Sequence, residues 1–315
     1  MSCIYVIHEN TAWVEPLRAA FQKFSLPFEE WFLHTGQIDL SQPPPEGVFY
    51  NRMSASSHSR GHRFGPEYTA AILAWLEGHS RIVFNGSRAL QLEISKVAQY
   101  AELERLGIRT PRTVAAIGTQ ELVDAGHHFK PPFITKHNRA GKGLGVRLFH
   151  DADSLEAYVK SDGFEPSVDG ITLIQEYIES PNACITRVEF VGGRFLYAVR
   201  VDSSEGFELC PADACQIDDT FCPADQASLA RFQVIEGFES DLIHDYEKFL
   251  AMNQIHIAGI EFVRDRQGLC YTYDVNTNTN YNADAEAAAR VNGMEAIASY
   301  LGREHAKLDT ATSAR

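Results

Sequence analysis

Apolar residues recur along this chain in two rhythms. Over the first ~90 residues, short apolar runs alternate with stretches of helical spacing: "CIYVIH", "WVEPLRAAFQKF", "EGVFYN", "EYTAAILAWLEGH", "RIVFNG". Compact apolar runs predict strands, and recurrence at i, i+3 and i+4 predicts amphipathic helices. Pro66 and Gly78 bracket the second helix as start and stop signals do. Alternating strands and helices predict a parallel sheet covered by helices. "SRALQLEISKVAQYAELERLGI" predicts one long helix ending at Gly107. From about 110 to 175 the short strands "PFITKHN", "GVRLFH" and "GITLIQEYI" surround a helix near "DADSLEAYV". Strands then dominate from about 183 to 283 ("CITRVEFVG", "RFLYAVRVD", "IAGIEFVRD", "LCYTYDVN"), interrupted by a helix at about 226–252. A helix over "ADAEAAARVNGMEAIASYLG" closes the pattern, and residues 303–315 read as a polar, flexible tail.

Composition narrows the function classes. At 315 residues, 44% hydrophobic and 22% charged, the chain is ordinary globular material. A formal charge of −14 argues against a nucleic-acid partner, which needs a basic face, and against an acidic membrane. The N-terminus has no signal-peptide pattern, and no apolar run is long enough to span a bilayer. A cytoplasmic location is expected, with the six cysteines as reduced thiols. Cys210, Cys215 and Cys222 match no zinc-binding spacing. Trp13, Trp31 and Trp75 are expected in the N-terminal core.

Four stretches carry chemistry. In "FITKHNRAGKGLGVRLF" a strand ends at Lys136, and a loop holding Gly141, Lys142, Gly143 and Gly145 follows. Glycine permits positive φ and close approach, so such a loop can lay backbone N–H groups over phosphates; a plain hairpin tip is the alternative. The loop fits neither a Walker A nor a dinucleotide fingerprint. Lys96 lies on a helix face in "LEISK", where a surface lysine is the bland reading. In "LIQEYIES" a strand ends at Glu176, Tyr177 and Ile178, either a sheet edge or a hinge addressing an adenine edge. Finally, Glu261 and Asp274 lie in two strands joined by a turn near "DRQG", with Asn276 two residues on. Opposed like charges destabilise a ladder unless neutralised. A divalent cation such as Mg²⁺, which takes hard oxygen ligands, would do so; two exposed acids on an edge is the alternative.

Taken together, these residues resemble the ATP-grasp superfamily over roughly residues 90–285, most specifically in the thirteen-residue step from Glu261 to Asp274 followed by Asn276. The nearest resemblance is to the glutathione synthetase and ribosomal-protein glutamate ligase branch. It implies an α/β (α+β) ATP-grasp fold: a pre-grasp α/β domain over 1–90 and a grasp domain over 91–302. The latter would have a lid at about 110–175 and a metal-binding part at about 179–302. It implies that Lys96, Lys136, Lys142, Gly143 and Gly145 address ATP phosphates and that Glu176, Tyr177 and Ile178 address adenine. Glu261, Asp274 and Asn276 would hold Mg²⁺, two ions by the family pattern, with Mn²⁺ as a substitute. Arg187 and Arg200 would face the reacting carboxylate. The implied reaction joins a small carboxylate or peptide to an amine through an acylphosphate; a kinase that stops at phosphoryl transfer and a non-catalytic ATP-binding regulator are the rivals. A homodimer is open.

The sequence departs from the pattern at "AGKGLG", at Asp274 in place of Glu, and at "TNTNYN", which stands where an acceptor loop is usual. Asn278, Asn280 and Asn282 would there meet the acceptor or the phosphate, or simply form a turn. Arg52, Arg60 and Arg63, in "NRMSASSHSRGHRFG", are a basic cluster in an acidic chain. It is suited to a substrate carboxylate, or else is a solvated loop.

Overall fold

A computed structural model describes residues 2–141, 143–204 and 231–313. Strands β1 (Cys3–His8), β2 (Phe28–Phe32), β3 (Gly47–Asn51) and β4 (Ile82–Phe84) form a parallel sheet of order β2-β1-β3-β4. Helices α1 (Thr11–Lys23) and α2 (Gly65–Gly78) connect its strands, as the alternating pattern predicts. Asn10 caps α1, its Oδ1 accepting from Ala12 N at 3.1 Å. Strand β2 was not expected: its two glutamates obscure the apolar rhythm.

The long helix expected after β4 is two helices, α3 (Ser87–Glu93) and α4 (Lys96–Arg105). Ser95 breaks it by capping α4, its hydroxyl accepting from Ala98 N at 3.3 Å. Such a cap satisfies orphan N–H groups, so a Ser inside an apparent helix can start a new one. The break places Lys96 in the first turn of α4.

The second sheet is antiparallel, of order β5-β8-β6-β7, from β5 (Thr113–Ile117), β6 (Phe133–His137), β7 (Arg147–Phe149) and β8 (Ile171–Glu176). Helices α5 (Thr119–Gly126) and α6 (Ala152–Val159) pack on it.

The third, also antiparallel, has order β11-β10-β9-β12-β13, from β9 (Cys184–Val191), β10 (Arg194–Asp202), β11 (Phe232–Ile235), β12 (Ile257–Arg264) and β13 (Cys270–Asn276). Helix α7 (Leu242–Met252) starts later than expected, because Phe232–Ile235 pairs with β10 as a strand. Helices α8 (Ala283–Ala289) and α9 (Gly293–Ser313) follow. Helix α9 runs through residues 303–313, expected as a tail, and His305 is buried with its ring on the Ser2 hydroxyl at 2.8 Å. No helix among the described residues is long and apolar enough to cross a membrane.

The first and third sheets share one core: Ile4, Val6, Val48 and Tyr50 pack in the same cluster as Val199, Ile257 and Ile297. Buried Asn85 stitches them. Its Nδ2 donates to the carbonyls of Ile257 (2.7 Å) and Thr277 (2.9 Å), while its Oδ1 accepts from His256 N and Ile257 N. Trp13 is buried outside this cluster, with the Arg60 guanidinium over its ring, whereas Trp31 and Trp75 border a smaller cluster against the first sheet.

Candidate active site

A cavity of about 520 Å³ is lined by residues of the second and third sheets, with Trp13 of α1 and Ser54 and Ser56 of the segment after β3. Its chemistry starts from the register of the third sheet. Glu261 stands directly opposite Asp274 on β13 and opposite Arg187 on β9, so the expected pairing of the two acids is observed. The protein itself neutralises them: Arg187 Nη1 donates to Glu261 Oε1 at 2.7 Å, and Lys96 Nζ reaches Asp274 Oδ1 at 2.6 Å. Arg187 also meets Glu189, two residues along β9, and its Nη2 donates to Thr279 Oγ1 at 2.6 Å.

The ladder slips after this pair, for Glu261 faces Asp274 but Phe262 faces Thr272. Tyr273 is the extra residue of a bulge, a device common beside functional sites. Its carbonyl, free of the ladder, accepts from Tyr100 OH at 2.8 Å and lies 3.5 Å from Lys136 Nζ. Lys136 Nζ also donates to Tyr100 OH at 3.0 Å. Gln99 treats β13 as a strand partner would, donating to Val275 O and accepting from Val275 N. Helix α4 thus covers an edge strand and delivers Lys96 to Asp274.

Burial sets the charges. It pushes the Asp274 carboxyl up, but Lys96 and then Lys136 outweigh it and hold the group below the usual carboxylate range. The Glu261 carboxyl is raised, because burial exceeds what Arg187 offsets. Burial pushes the Lys136 ammonium down, against the pull of Asp274 and Glu261. Glu261, Asp274 and Asn276 all line the cavity, and two carboxylates with a carboxamide are the hard oxygen donors Mg²⁺ takes. The residues present fit that ion. Among the described residues, no three His, Cys, Asp or Glu side chains cluster as a ready-made metal site, so further ligands would come from phosphate and water.

Gly141, Gly143, Glu176, Tyr177 and Ile178 also line the cavity. Gly143 and Gly145 take φ of 75° and 74°, and a Cβ on Gly145 would stand 2.2 Å from the His137 ring. Only glycine fits there. Lys142 lies outside the described residues, as do Cys210, Cys215 and Cys222. Arg139, buried at the loop's start, donates to Glu67 of α2 at 2.7 Å and 3.2 Å. Glu176 Oε1 accepts from Arg112 N at 2.8 Å.

Other expected site residues are not brought to the cavity. Arg200 pairs in register with Thr186, one step from the Arg187–Val199 pair. A one-residue offset puts a side chain on the other face of a sheet, so Arg200 is exposed away from Arg187. Arg60 is held by Glu9 at 2.6 Å and 3.1 Å, and Arg63 pairs with Glu67 at 2.9 Å. Arg52, 2% exposed, is not a cavity wall either; its guanidinium is bonded to the run after β13. The basic cluster is therefore largely internal structure rather than an open carboxylate anchor.

That run has a regular logic. Asn276, Asn278 and Asn280 line the cavity, while Thr277 and Thr279 point away into buried bonds with Glu93 and with Glu189 and Arg187. The period of two persists past the strand end. Asn282 leaves the pattern as the cap of α8, accepting from Ala285 N at 2.8 Å. Sequence reading missed Glu93, Glu189 and Tyr100. Only the Arg187–x–Glu189 spacing, which shares one strand face, offered a signal.

No curated protein matches the chain in sequence. Residues 94–208 match the RimK-like ATP-grasp domain. Similar solved structures include a RimK domain ATP-grasp protein from Sphaerobacter thermophilus (TM-score 0.63, 16% identity, covering 94% of this chain and 99% of that one). The D-cycloserine synthetase DcsG follows (0.65, 14%, 96% and 99%), as does the ATP-grasp ligase PsnB complexed with minimal precursor (0.65, 16%, 95% and 98%). At these identities the likeness is one of fold.

Proposed function

The chain has an ATP-grasp fold, and from that premise we propose that it is an ATP-dependent carboxylate–amine ligase acting on a small amino-acid-like or peptide substrate. The observation that carries this reading is the Glu261–Asp274 pair, set with Asn276, Lys96 and Lys136 in one cavity. The glycine loop and Glu176–Ile178 form other parts of its wall. Glu176 and the main chain at Tyr177 and Ile178 address adenine; Lys96, Lys136 and the loop at Gly143 and Gly145 address phosphates. Glu261, Asp274 and Asn276 hold Mg²⁺, two ions on this reading, which supplies Lewis acidity toward phosphoryl oxygens.

The substrate carboxylate oxygen bonds to the γ-phosphorus as the bond to the bridging oxygen of ADP breaks. The amine nitrogen then bonds to the acyl carbon, phosphate leaves, and the amine loses a proton. No protein nucleophile takes part, so this chain's residues act by position and charge. Asp274 holds the Lys96 ammonium at the cavity, Tyr100 and the Tyr273 carbonyl hold that of Lys136, and the loop shields the acylphosphate from water.

The test is ADP release across a panel of carboxylates and amines, offered singly and in pairs. Short peptides belong in it, because PsnB was solved with a precursor bound. Release that requires a carboxylate and an amine together is expected. Release with one substrate and a stable phosphorylated product would make the protein a kinase, and nucleotide binding without release under any pairing would make it a regulator.

A further inference from the structure

Arg52 is a buried cation of an unusual kind. Its Nε donates to Asn278 Oδ1 at 3.1 Å, and its Nη2 donates to Asn280 Oδ1 and to the Thr279 carbonyl, both at 2.9 Å. Among the described residues, Nη1 meets only the Met294 sulfur, at 3.7 Å. All these partners are neutral, whereas Arg60, Arg63, Arg139 and Arg187 each meet a carboxylate. A buried guanidinium whose described partners are all dipoles is costly. Its charge is passed on through the dipoles it orients.

Their orientation is fixed by chemistry rather than by an ambiguous amide assignment. A guanidinium has donors only, so each amide must turn its oxygen to Arg52 and its NH₂ away. Asn278 and Asn280 line the cavity and Arg52 does not. No described residue accepts from either Nδ2 group, so these are the polar atoms the two side chains offer to a ligand. Arg187, the guanidinium that does line the cavity, is committed to Glu189, Glu261 and Thr279.

We propose that Asn278 and Asn280, polarised from behind by Arg52, form an anion-binding subsite that takes a carboxylate of the substrate. The inference rests on the ligase reading only for the identity of that anion as a carboxylate. It commits the protein to reading this group with neutral amide donors, backed by a charge the ligand does not touch. An aspartate at 278 or 280 would keep an oxygen toward Arg52 and turn acceptors, not donors, to the cavity.

The test is ligand-observed saturation-transfer NMR with N-acetyl amino acids and their matched primary amides, in the presence of Mg²⁺ and a non-hydrolysable ATP analogue. Wild type should bind the acids at least tenfold more tightly than the amides. Asn280→Asp and Asn278→Asp should each abolish that preference, with a melting temperature unchanged or raised because Arg52 gains a counter-ion. A residue that served only to hold the fold would not lose ligand binding while keeping or gaining stability. Equal binding of acids and amides by wild type, or an acid preference surviving Asn280→Asp, would overturn the subsite. Binding of the ATP analogue, read in the same samples, reports separately on the proposed function. If it binds and the acids do not, the subsite alone fails.

Discussion

The glycine loop and the acid-bearing hairpin line the same cavity but are held by different means. The hairpin is fixed by charge: Glu261 and Asp274 are flanked by Arg187 and Lys96 in a buried row, with Lys136 behind. The loop is fixed by backbone conformation, through positive φ at Gly143 and Gly145, and by one clasp from Arg139 to Glu67. A wall set by charge and a loop set by backbone conformation suit the proposed site, where one side holds charge and the other would admit a nucleotide. Each can be attacked by its own kind of substitution.

The largest effect belongs to the hairpin. Asp274→Asn removes the acid that Lys96 and Lys136 face, and ADP release should fall at least about a hundredfold; unchanged turnover would remove Asp274 from the site. In the loop, Gly145→Ala should destabilise the fold by about 3 kcal/mol, since it meets both the positive φ and the His137 ring. Gly143→Ala, at nearly the same φ, should cost about 1 kcal/mol. Denaturant melts of the pair separate crowding from conformation, and equal costs would mean the ring contact is not formed in solution.

The clasp comes last. Hydrogen bonds from Arg139, and then Arg63, lower the Glu67 pKa from 4.5 to about 2. Its contribution is therefore full above pH 4.5 and lost as pH falls from there through about 2. With its side chain 48% exposed, the pair is screened, and Glu67→Gln should cost at most about 1 kcal/mol at neutral pH. The two proteins should become equally stable only well below pH 2; a difference that persists there would mean the effect is not electrostatic.

The same contrast explains what the sequence disclosed. Glu261, Asp274 and Asn276 could be placed because strand period and a short turn fix register locally, and Lys136 because its strand ends in a glycine loop. The bulge at Tyr273 and the break at Ser95 were not legible. Each depends on a partner far along the chain: Tyr100 for the freed carbonyl, and Asn138, which accepts from Lys96 N and Val97 N, for the helix start. Arg200 was given its role by resemblance alone, and its pairing with Thr186 puts it on the sheet face opposite Arg187. The arginines of residues 51–65 were misjudged because their partners, Glu9, Glu67 and the 278–280 run, are invisible to local pattern. Composition marks a basic cluster but cannot say whether its charges are already spent.

Asn85 carries a consequence for how the molecule comes apart. One amide side chain fills its hydrogen-bonding capacity with groups of residues 256–277, while its own carbonyl accepts from Asn51 Nδ2 at 2.9 Å. Opening the first sheet alone would strand two buried carbonyls and the buried N–H of Ile257, at about 1–3 kcal/mol each, and would release the half-buried N–H of His256. A partly unfolded state with only one sheet intact is thereby penalised. Residues 1–90 and the five-stranded sheet are tied into a single cooperative unit, although the chain pattern presents them as separate modules.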